Sequence, residues 1–441
     1  MDKKELKKLL ERTIRIFVFT RLDLSVSRLK KLPDRVLEMA RLIDLNLGIN
    51  MIDHLPENFG NLANLKRFDI HRNKLKTLSG SIGDIPGLEY LRLNCNNLTK
   101  LPDSFKNLIN LKQLYLYLND FTEFPMPVAS LTGLTLLNIN RNKLSSIPEE
   151  IGGLVNLEHF DLRKNTLKKL PQSLGYLKKL KYLRVDNNRL KELPNSIGKL
   201  TELEYLNLRN SMLSGLPDSI GHMKNLRYLN LDNNNLRNLP ETISGLQGIV
   251  RLFLGRNKLS TLPKNINMLQ KLKELYLNDN MLTCIPESVT GIKSLARLDL
   301  YNNRICLLPE NIGKFKNLKI LHLNDNKLES IPEGLCCLSI LEGLDLSHNR
   351  LDNIPESIGN LIKLQGLYLG NNRIKKLPNS IGDLSGLGRL YINNNQLKSL
   401  PRSIEKLINL KELYISGNPL DLSDIPSGLI SRSKTGNLKI R

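Results

Sequence analysis

The chain has 441 residues, with 65 Lys and Arg against 43 Asp and Glu and a formal net charge of +22. A single globule of that length would be unusually large, so length alone favours two or three domains. The positive charge allows a nucleic-acid, membrane or acidic-protein partner. The apolar run near the N-terminus, Ile16–Phe19, has only four residues, which predicts neither a secretory signal nor a transmembrane segment.

Residues 1–20 are predicted to form an N-terminal cap. A helix over residues 2–12 would place three leucines on one face, and Arg15–Thr20 would add a capping strand. The end of a stack of repeats exposes apolar surface, and a cap with a polar outer side would cover it.

A 23-residue period runs from about Arg21 to Leu422. Stepping by 23 residues reaches eighteen positions, which we call the ladder positions, without an insertion or deletion. Serine stands at two of them, Ser27 and Ser211. Asparagine stands at the other sixteen: Asn50, Asn73, Asn96, Asn119, Asn142, Asn165, Asn188, Asn234, Asn257, Asn280, Asn303, Asn326, Asn349, Asn372, Asn395 and Asn418. No unit of this size can close a core alone, so residues 21–422 are predicted to stack as one solenoid domain.

The repeat Leu180–Glu202 shows how one unit is built. Apolar and polar residues alternate from Tyr182 to Asp186, which predicts a short strand with one buried face. Asn188 follows the strand, where its amide can both donate and accept, and we expect it to link one repeat to the next. Pro194 suits the return segment, because it fixes an extended backbone and needs no donor.

This unit resembles the leucine-rich repeat. It matches the pattern L-x-x-L-x-L-x-x-N-x-L-x-x-L-P at Leu180, Leu183, Val185, Asn188, Leu190, Leu193 and Pro194. The following I-G-x-L is similar to the 23-residue Ras-group-like and bacterial-type subclass. The resemblance covers over nine tenths of the chain and implies a curved α/β solenoid, a horseshoe of about eighteen repeats with a parallel β-sheet on its concave face. It also implies a small GTPase or phosphatase complex as one possible class of partner.

The sequence carries no pattern of an enzyme. It has no phosphate loop, no G-x-S-x-G elbow and no kinase motif set. The six His are scattered without metal-ligand spacing, and the adjacent Cys336 and Cys337 have no second ligand pair nearby. We therefore predict a non-enzymatic protein with no cofactor and no metal. The five Cys show no paired spacing, which favours a reduced compartment.

Five positions of each repeat are expected to face solvent from the strand: six, four, two and one residues before the ladder position, and one after it. We call these positions together the strand face. Eleven of 12 Tyr and 17 of 26 Arg fall on it, but only five of 39 Lys do. Strand propensity explains part of the Tyr enrichment, but it does not separate Arg from Lys.

Enrichment of Tyr and Arg with depletion of Lys is typical of protein–protein interfaces and of their hot spots. The predicted partner-binding residues are Tyr182, Arg184, Tyr205, Arg209, Tyr228, Arg251, Phe253, Tyr276, Arg297, Tyr301, Tyr368, Arg389, Tyr391 and Tyr414. The first three and the last three tyrosines of this set each share one phase on successive strands, within stacking reach. The sequence therefore predicts a scaffold or adaptor, expected to be a monomer, that binds a protein partner in intracellular signalling.

Two alternatives stay open. A cytoplasmic location is expected, but export without a classical signal would fit an effector of bacterial type that acts on host proteins. Nucleic-acid binding is disfavoured, because the strand face also carries 13 acidic residues and a phosphate-tracking groove does not normally alternate in sign. Beyond the solenoid, residues 423–441 are predicted as a C-terminal cap and a frayed basic tail.

Overall fold

The computed structural model describes residues 20–441. The predicted capping helix over residues 2–12 lies outside the described residues, as does the capping strand except for Thr20. The described chain divides into two units, with the boundary between Leu213 and Ser214.

Each repeat contributes one strand of three residues. The first unit contains β1 (Arg21–Asp23), β2 (Asp44–Asn46), β3 (Arg67–Asp69), β4 (Tyr90–Arg92), β5 (Gln113–Tyr115), β6 (Leu136–Asn138), β7 (His159–Asp161), β8 (Tyr182–Arg184) and β9 (Tyr205–Asn207). The second unit contains β10 (Tyr228–Asn230), β11 (Arg251–Phe253), β12 (Glu274–Tyr276), β13 (Arg297–Asp299), β14 (Ile320–His322), β15 (Gly343–Asp345), β16 (Gly366–Tyr368), β17 (Arg389–Tyr391), β18 (Glu412–Tyr414) and β19 (Lys439–Ile440).

Consecutive strands within each unit pair in parallel, and equivalent residues of successive repeats lie side by side. A 3-10 helix follows the strand in each repeat, usually directly after the proline. In the first unit these helices are Asp34–Glu38, Phe59–Asn61, Gly80–Asp84, Asp103–Asn107, Met126–Ser130, Glu149–Gly153, Gln172–Tyr176 and Asn195–Lys199. In the second they are Asp218–His222, Glu241–Gly245, Ile266–Met268, Glu287–Gly291, Glu310–Lys314, Glu333–Cys337, Glu356–Asn360, Asn379–Asp383, Arg402–Lys406 and Leu422–Asp424. The predicted solenoid with parallel strands is confirmed, and its return segments are 3-10 helices.

The core of each unit is a line of aliphatic side chains between the strands and the 3-10 helices. In the repeat that begins at Leu180, Leu183 and Val185 of the strand side and Ile197 of the helix are completely buried. Each such side chain contributes roughly 1.5–3 kcal/mol by leaving water. Burial of this kind needs a neighbouring repeat on either side, as the sequence predicted.

The ladder asparagines join each repeat to the one before it. The Oδ1 atom of Asn73 accepts the backbone N–H of Ile52 at 2.9 Å, and its Nδ2 atom donates to the carbonyls of Leu47 at 2.9 Å and Ile70 at 3.2 Å. Two of these partners belong to the preceding repeat. The Asn73 side chain is buried, and both its donor and its acceptor atoms are hydrogen-bonded.

Ser211 breaks this pattern at the end of the first unit. Its side chain is buried, and its Oγ atom makes no hydrogen bond. A serine is too short to reach the groups that an asparagine bonds in the other repeats, which here would be the N–H of Leu190 and the carbonyl of Val185. This repeat therefore lacks the link that the ladder asparagines from Asn50 to Asn188 make in the same unit.

The residue directly before each ladder position has a left-handed backbone, which was not predicted from the sequence. The φ angle at these non-glycine positions is 51–58° throughout, from Val26 to Asn394, and 73° at Gly417. Asn, Asp, His or Gly occupies most of these positions from residue 187 onward. These residues tolerate the left-handed region well, whereas a β-branched residue such as Ile49 is strained there.

The C-terminal residues are ordered, so the prediction of a frayed tail is wrong. Ser427–Lys434 forms a helix, α1, and β19 pairs with β18. Leu429 and Leu438 are buried, and the guanidinium group of Arg432 donates to three backbone carbonyls of the last repeat. Two buried leucines and these hydrogen bonds hold a segment whose composition is polar.

None of the helices between residues 20 and 441 has the length and the apolar character needed to span a membrane.

Glutamates at the start of some 3-10 helices bond the helix of the next repeat. The carboxylate of Glu149 accepts the backbone N–H groups of Gln172 at 3.1 Å and Ser173 at 2.8 Å. Glu356 makes the same contact with the helix that begins at Asn379. The hydrogen bond from the Ser173 backbone lowers the pKa of Glu149, because it favours the charged form.

Restoring the missing ladder asparagine should stabilise the protein. We expect Ser211→Asn to raise the free energy of unfolding by about 1 kcal/mol, because the new amide can accept the N–H of Leu190 and add a second donor to the carbonyl of Val185, which already accepts from Asn188. Urea denaturation followed by circular dichroism measures the change. The matched control, Asn188→Ser, should destabilise the same unit. A neutral Ser211→Asn beside a destabilised control would show that the surroundings of residue 211 no longer fit an amide.

The Glu149 contact should depend on pH. A carboxyl with a lowered pKa stabilises the fold above its unfolded-state pKa, and this contribution is lost as the pH falls through the lowered value. Glu149→Gln should therefore reduce Tm at pH 7, with a difference from wild type that shrinks toward pH 3. Glu150→Gln, an exposed neighbour without this contact, is the control. A Tm difference that is constant with pH would contradict this role.

Candidate functional site

The strand face consists of rows of side chains that run across the strands. In β8, Tyr182 is exposed, Leu183 is buried and Arg184 is half-buried. Parallel pairing places Tyr182 beside Tyr205 and Arg184 beside Asn207. Because neighbouring strands are about 4.8 Å apart, side chains of one phase touch along each row.

A hollow of about 360 Å³ opens on the strand face of the first unit, over β6 to β9. Its lining is Leu136, Leu137, Asn138, His159, Phe160, Asp161, Tyr182, Arg184 and Tyr205. Three of the predicted partner-binding residues thus meet in one place. The fourth predicted residue of this unit, Arg209, is exposed and does not line the hollow.

Three rings form the aromatic wall of the hollow. The imidazole of His159 stacks on Tyr182 with centroids 4.6 Å apart and planes 6° from parallel, and Tyr182 lies 6.0 Å from Tyr205. Burial lowers the pKa of His159, so the imidazole is neutral at neutral pH. Tyr182 remains 41% exposed. The wall therefore offers uncharged ring surface to an incoming group.

A carboxylate lies at the floor of the hollow. The Oδ2 atom of Asp161 is 3.0 Å from Nε of Arg163 and accepts Nδ2–H of Asn140 at 3.1 Å. Burial raises the pKa of Asp161, and the Arg163 guanidinium only partly offsets this. Its side chain is 15% exposed, so it is held by its own neighbours and is not offered to solvent.

Arg184 already covers one ring from inside the hollow. Its guanidinium carbon lies 5.3 Å from the centroid of Tyr205, a cation–π contact. Burial tends to lower the pKa of Arg184, but the Tyr205 hydroxyl and the nearby carboxylates of Asp161 and Asp186 outweigh it and raise the pKa. The guanidinium is therefore held charged and in place.

An aromatic row also crosses the strand face of the second unit. The centroids of Tyr228 and Phe253 are 5.1 Å apart, and Phe253 stacks on Tyr276 at 4.5 Å with planes 6° from parallel. The guanidinium of Arg297 lies 5.4 Å from the Tyr276 ring. Four predicted residues are thus brought into one continuous row.

Glu274 fixes the polar side of this row. Its carboxylate lies 3.0 Å from Nε of Arg251 and accepts the hydroxyl of Tyr276 at 2.9 Å. Burial, followed by this hydrogen bond to a negative acceptor, raises the pKa of Tyr276 to about 12. Arg251 and Tyr276, both predicted from sequence, are therefore connected through a carboxylate that was not predicted.

Arg297 belongs to a second hydrogen-bonded group. Its Nη2 atom donates to Oδ2 of Asp299 at 2.9 Å, and His322 donates from Nδ1 to Oδ1 at 2.6 Å. Burial alone would raise the pKa of Asp299, but the hydrogen bonds from His322 and Arg297 outweigh it and lower the pKa. The hydroxyl of Tyr301 accepts Nδ2–H of Asn278 at 2.9 Å, in the row beside this group.

The C-terminal tyrosines form a separate cluster in the second unit. Tyr368 and Tyr391 meet edge to face with centroids 4.9 Å apart, and Tyr391 lies 4.2 Å from Tyr414. The hydroxyl of Tyr391 donates to Glu412, which raises the pKa of Tyr391. The nearby hydroxyl of Tyr368 raises the pKa of Arg389. The predicted contact among these three tyrosines is present.

The sequence reading missed part of the site. His159 and Asp161 line the hollow although neither was predicted to bind a partner, and both stand at strand-face positions of β7. A further cluster, Arg67 over Tyr90 at 4.2 Å and Tyr90 against Tyr115 at 5.5 Å, lies earlier in the first unit. The position within the repeat would have identified both groups, because their residues occupy the same strand-face positions as the predicted tyrosines. In residues 20–441, no group of three His, Cys, Asp or Glu could hold a metal ion.

Comparison with known proteins gives repeated matches to one kind of family model. The model described as a leucine-rich repeat region matches residues 125–213, 195–299 and 333–424, and other leucine-rich repeat models match residues 56–98, 294–315 and 317–338. No curated protein gives a significant match.

Solved structures give a consistent result. A leucine-rich repeat protein of Leptospira interrogans is 30% identical, with a TM-score of 0.70 over 99% of this chain and 98% of that one. The ectodomain of the Arabidopsis thaliana membrane receptor kinase GASSHO1/SCHENGEN3 is 32% identical, with a TM-score of 0.65 over 95% of this chain and 55% of that one. The plant peptide hormone receptor RGFR1 is 26% identical, with a TM-score of 0.63 over 93% of this chain and 76% of that one.

Removing the charge of Glu274 should shift the titration of Tyr276. We expect Glu274→Gln to lower the pKa of Tyr276 from about 12 toward the ordinary value near 10, but not fully, because burial of the ring remains. Nuclear magnetic resonance of ¹³Cζ-labelled tyrosine follows the titration. Glu310→Gln is the control, since Glu310 lies on a 3-10 helix and not on the strand face. An unchanged titration would exclude the Tyr276–Glu274 hydrogen bond in solution.

Proposed function

Because the chain belongs to the leucine-rich repeat family, we propose that it is a non-enzymatic scaffold or adaptor that binds a protein partner on its strand face. The family's repeat scaffold is typical of protein-binding domains. We place the main contact at the hollow of the first unit, where Tyr182, Arg184 and Tyr205 meet.

The stacked aromatic wall of this hollow is the observation that carries the proposal. Tyr182 is large, partly exposed and fixed by His159 on one side and Tyr205 on the other. A preorganised ring loses little conformational entropy when a partner covers it. Tyrosine and arginine in a well-packed concavity are the residues that dominate measured interface energies.

The similar receptor structures support the same kind of use. The GASSHO1/SCHENGEN3 ectodomain is in complex with Casparian strip integrity factor 2, and RGFR1 is in complex with RGF2. Both repeat arrays thus hold a separate ligand. We extend this to the present chain as recognition of a protein or peptide, without carrying over either partner.

The setting that we propose is the cytoplasm, with the protein acting as a monomer in signalling. The five cysteines are all free thiols, two of them on adjacent residues, which suits a reducing compartment. A small GTPase or phosphatase complex is the partner class to examine first. The alternative is an exported effector that acts on host proteins, and the same surface would serve it.

Removing the rings of Tyr182 and Tyr205 should weaken partner capture without unfolding the protein. We expect Tyr182→Ala with Tyr205→Ala to weaken binding by at least tenfold, since each ring is a hot-spot type residue. Immobilised wild-type and variant proteins are compared for recovery of the same partner by quantitative mass spectrometry. Circular dichroism checks that both remain folded.

Tyr176→Ala is the matched control for this experiment. Tyr176 is 60% exposed and lies on a 3-10 helix, away from the strand face. The control should recover the partner as the wild type does. If the Tyr182/Tyr205 variant recovers as much partner as the wild type, the first unit is not the docking place. A triple variant, Tyr368→Ala with Tyr391→Ala and Tyr414→Ala, would then test the second unit.

A further inference from the structure

We infer that the segment bound in the hollow of the first unit is an acidic stretch of polypeptide with one apolar side chain. This inference rests on the proposed function and adds the chemistry of the partner. It follows from where the structure places each sign of charge around the aromatic wall.

Four exposed cations, which we call the rim, stand two to five residues after the ends of the strands that line the hollow. Arg141, Lys164, Arg189 and Arg209 occupy strand-face positions of the repeats around the hollow, and all four are exposed. In the part of the chain that the structure describes, none of the four takes part in an ion pair. Four unneutralised cations therefore face solvent around one hollow.

The strand-face carboxylates near the hollow, Asp161 and Asp186, are largely covered. The half-exposed Glu158, directly before β7, is paired with Lys181. The side chain of Asp161 is 15% exposed and is held by Arg163. Asp186 is 8% exposed. Since charges under the surface are covered by side chains and those at the rim are not, an approaching partner meets a positive field. Electrostatic attraction of this kind selects an acidic partner and speeds its association.

The excess of positive charge is a property of the first unit. Its strand-face positions carry ten Arg and three Lys against six Asp, whereas those of the second unit carry seven Arg and two Lys against seven Asp and Glu. The second unit also has aromatic rows, but nearly balanced charge. An acidic segment is therefore expected to prefer the first unit.

A cationic group of the partner is the obvious competitor for an aromatic hollow with a carboxylate at its floor. Arg184 already lies against the Tyr205 ring, where it interacts with both Asp161 and Asp186. The cation site is thus filled by the chain itself. What remains open is aliphatic surface of Leu136 and ring surface of Tyr182, which suits an apolar side chain.

A nucleic acid is disfavoured at this surface. The strand face of the first unit carries six Asp among its cations, and a phosphate-tracking groove does not normally alternate in sign.

An unbiased peptide selection tests the inference. A phage library of random twelve-residue peptides is panned on the full chain at 50 mM NaCl, and the most enriched peptide is synthesised with a fluorescent label. Enriched peptides should carry net negative charge and one recurrent Leu, Ile, Phe or Tyr. Binding of the labelled peptide should weaken by about tenfold at 300 mM NaCl, because salt screens exposed charges.

Charge-reversal variants distinguish the effect of the rim cations on binding from the effect of the net charge of the chain. Arg141→Glu with Arg209→Glu should weaken binding of the labelled peptide by about tenfold or more, as measured by fluorescence anisotropy. Lys76→Glu with Lys100→Glu makes the same change in net charge at two exposed positions outside the hollow and should have less than a twofold effect. Equal loss in both variants would reduce the effect to the overall charge of the chain and overturn the inference.

The outcomes also separate this inference from the proposed function. The enriched peptides could be neutral or basic and still lose binding on Tyr182→Ala. That result would overturn the inference of an acidic segment but would keep the hollow as the docking place. Peptides insensitive to Tyr182→Ala, or no enrichment, would overturn both. Displacement of the labelled peptide by random-sequence single-stranded RNA at equal salt would show that the hollow takes nucleic acid and would also overturn the inference.

Discussion

The side-chain amide of the ladder asparagine is the interaction on which the rest of the structure depends. It is buried, it donates to backbone carbonyls of its own and the preceding repeat, and it accepts a backbone N–H of the preceding repeat. An amide with this geometry permits only one offset between neighbouring strands. The repeat length of 23 residues thereby becomes a fixed register in space.

That register places residues that recur every 23 positions next to one another, so that they form continuous surfaces. Because equivalent residues lie side by side within a unit, tyrosines that are 23 residues apart in sequence stack, as Tyr182 and Tyr205 do. The same rule brings carboxylates and guanidinium groups of adjacent repeats together, as at Arg251 and Glu274. Binding surfaces in this protein are therefore made by strand pairing, with no loop needed to assemble them.

The strand face also shows why total charge is a poor guide to a partner. Asp161 is less exposed than its ion-pair partner Arg163, and Arg184 is half-buried, while Arg141 and Arg209 are exposed and make no ion pair. Composition counts all of these equally. A partner responds to the exposed ones, so depth and pairing decide which sign the surface presents.

The sequence by itself determined the fold, the register and the strand face, because a period of 23 residues leaves one way to bury the leucines and one place for the ladder asparagines. It predicted that tyrosines of one phase would meet. Only the tertiary structure decided which strand-face residues form a hollow, that His159 and Asp161 complete it, and that Arg184 fills its cation site. It also ordered the C-terminal tail through the burial of Leu429 and Leu438. These outcomes depend on side-chain depth and on contacts between neighbouring strands, which a one-dimensional period does not specify.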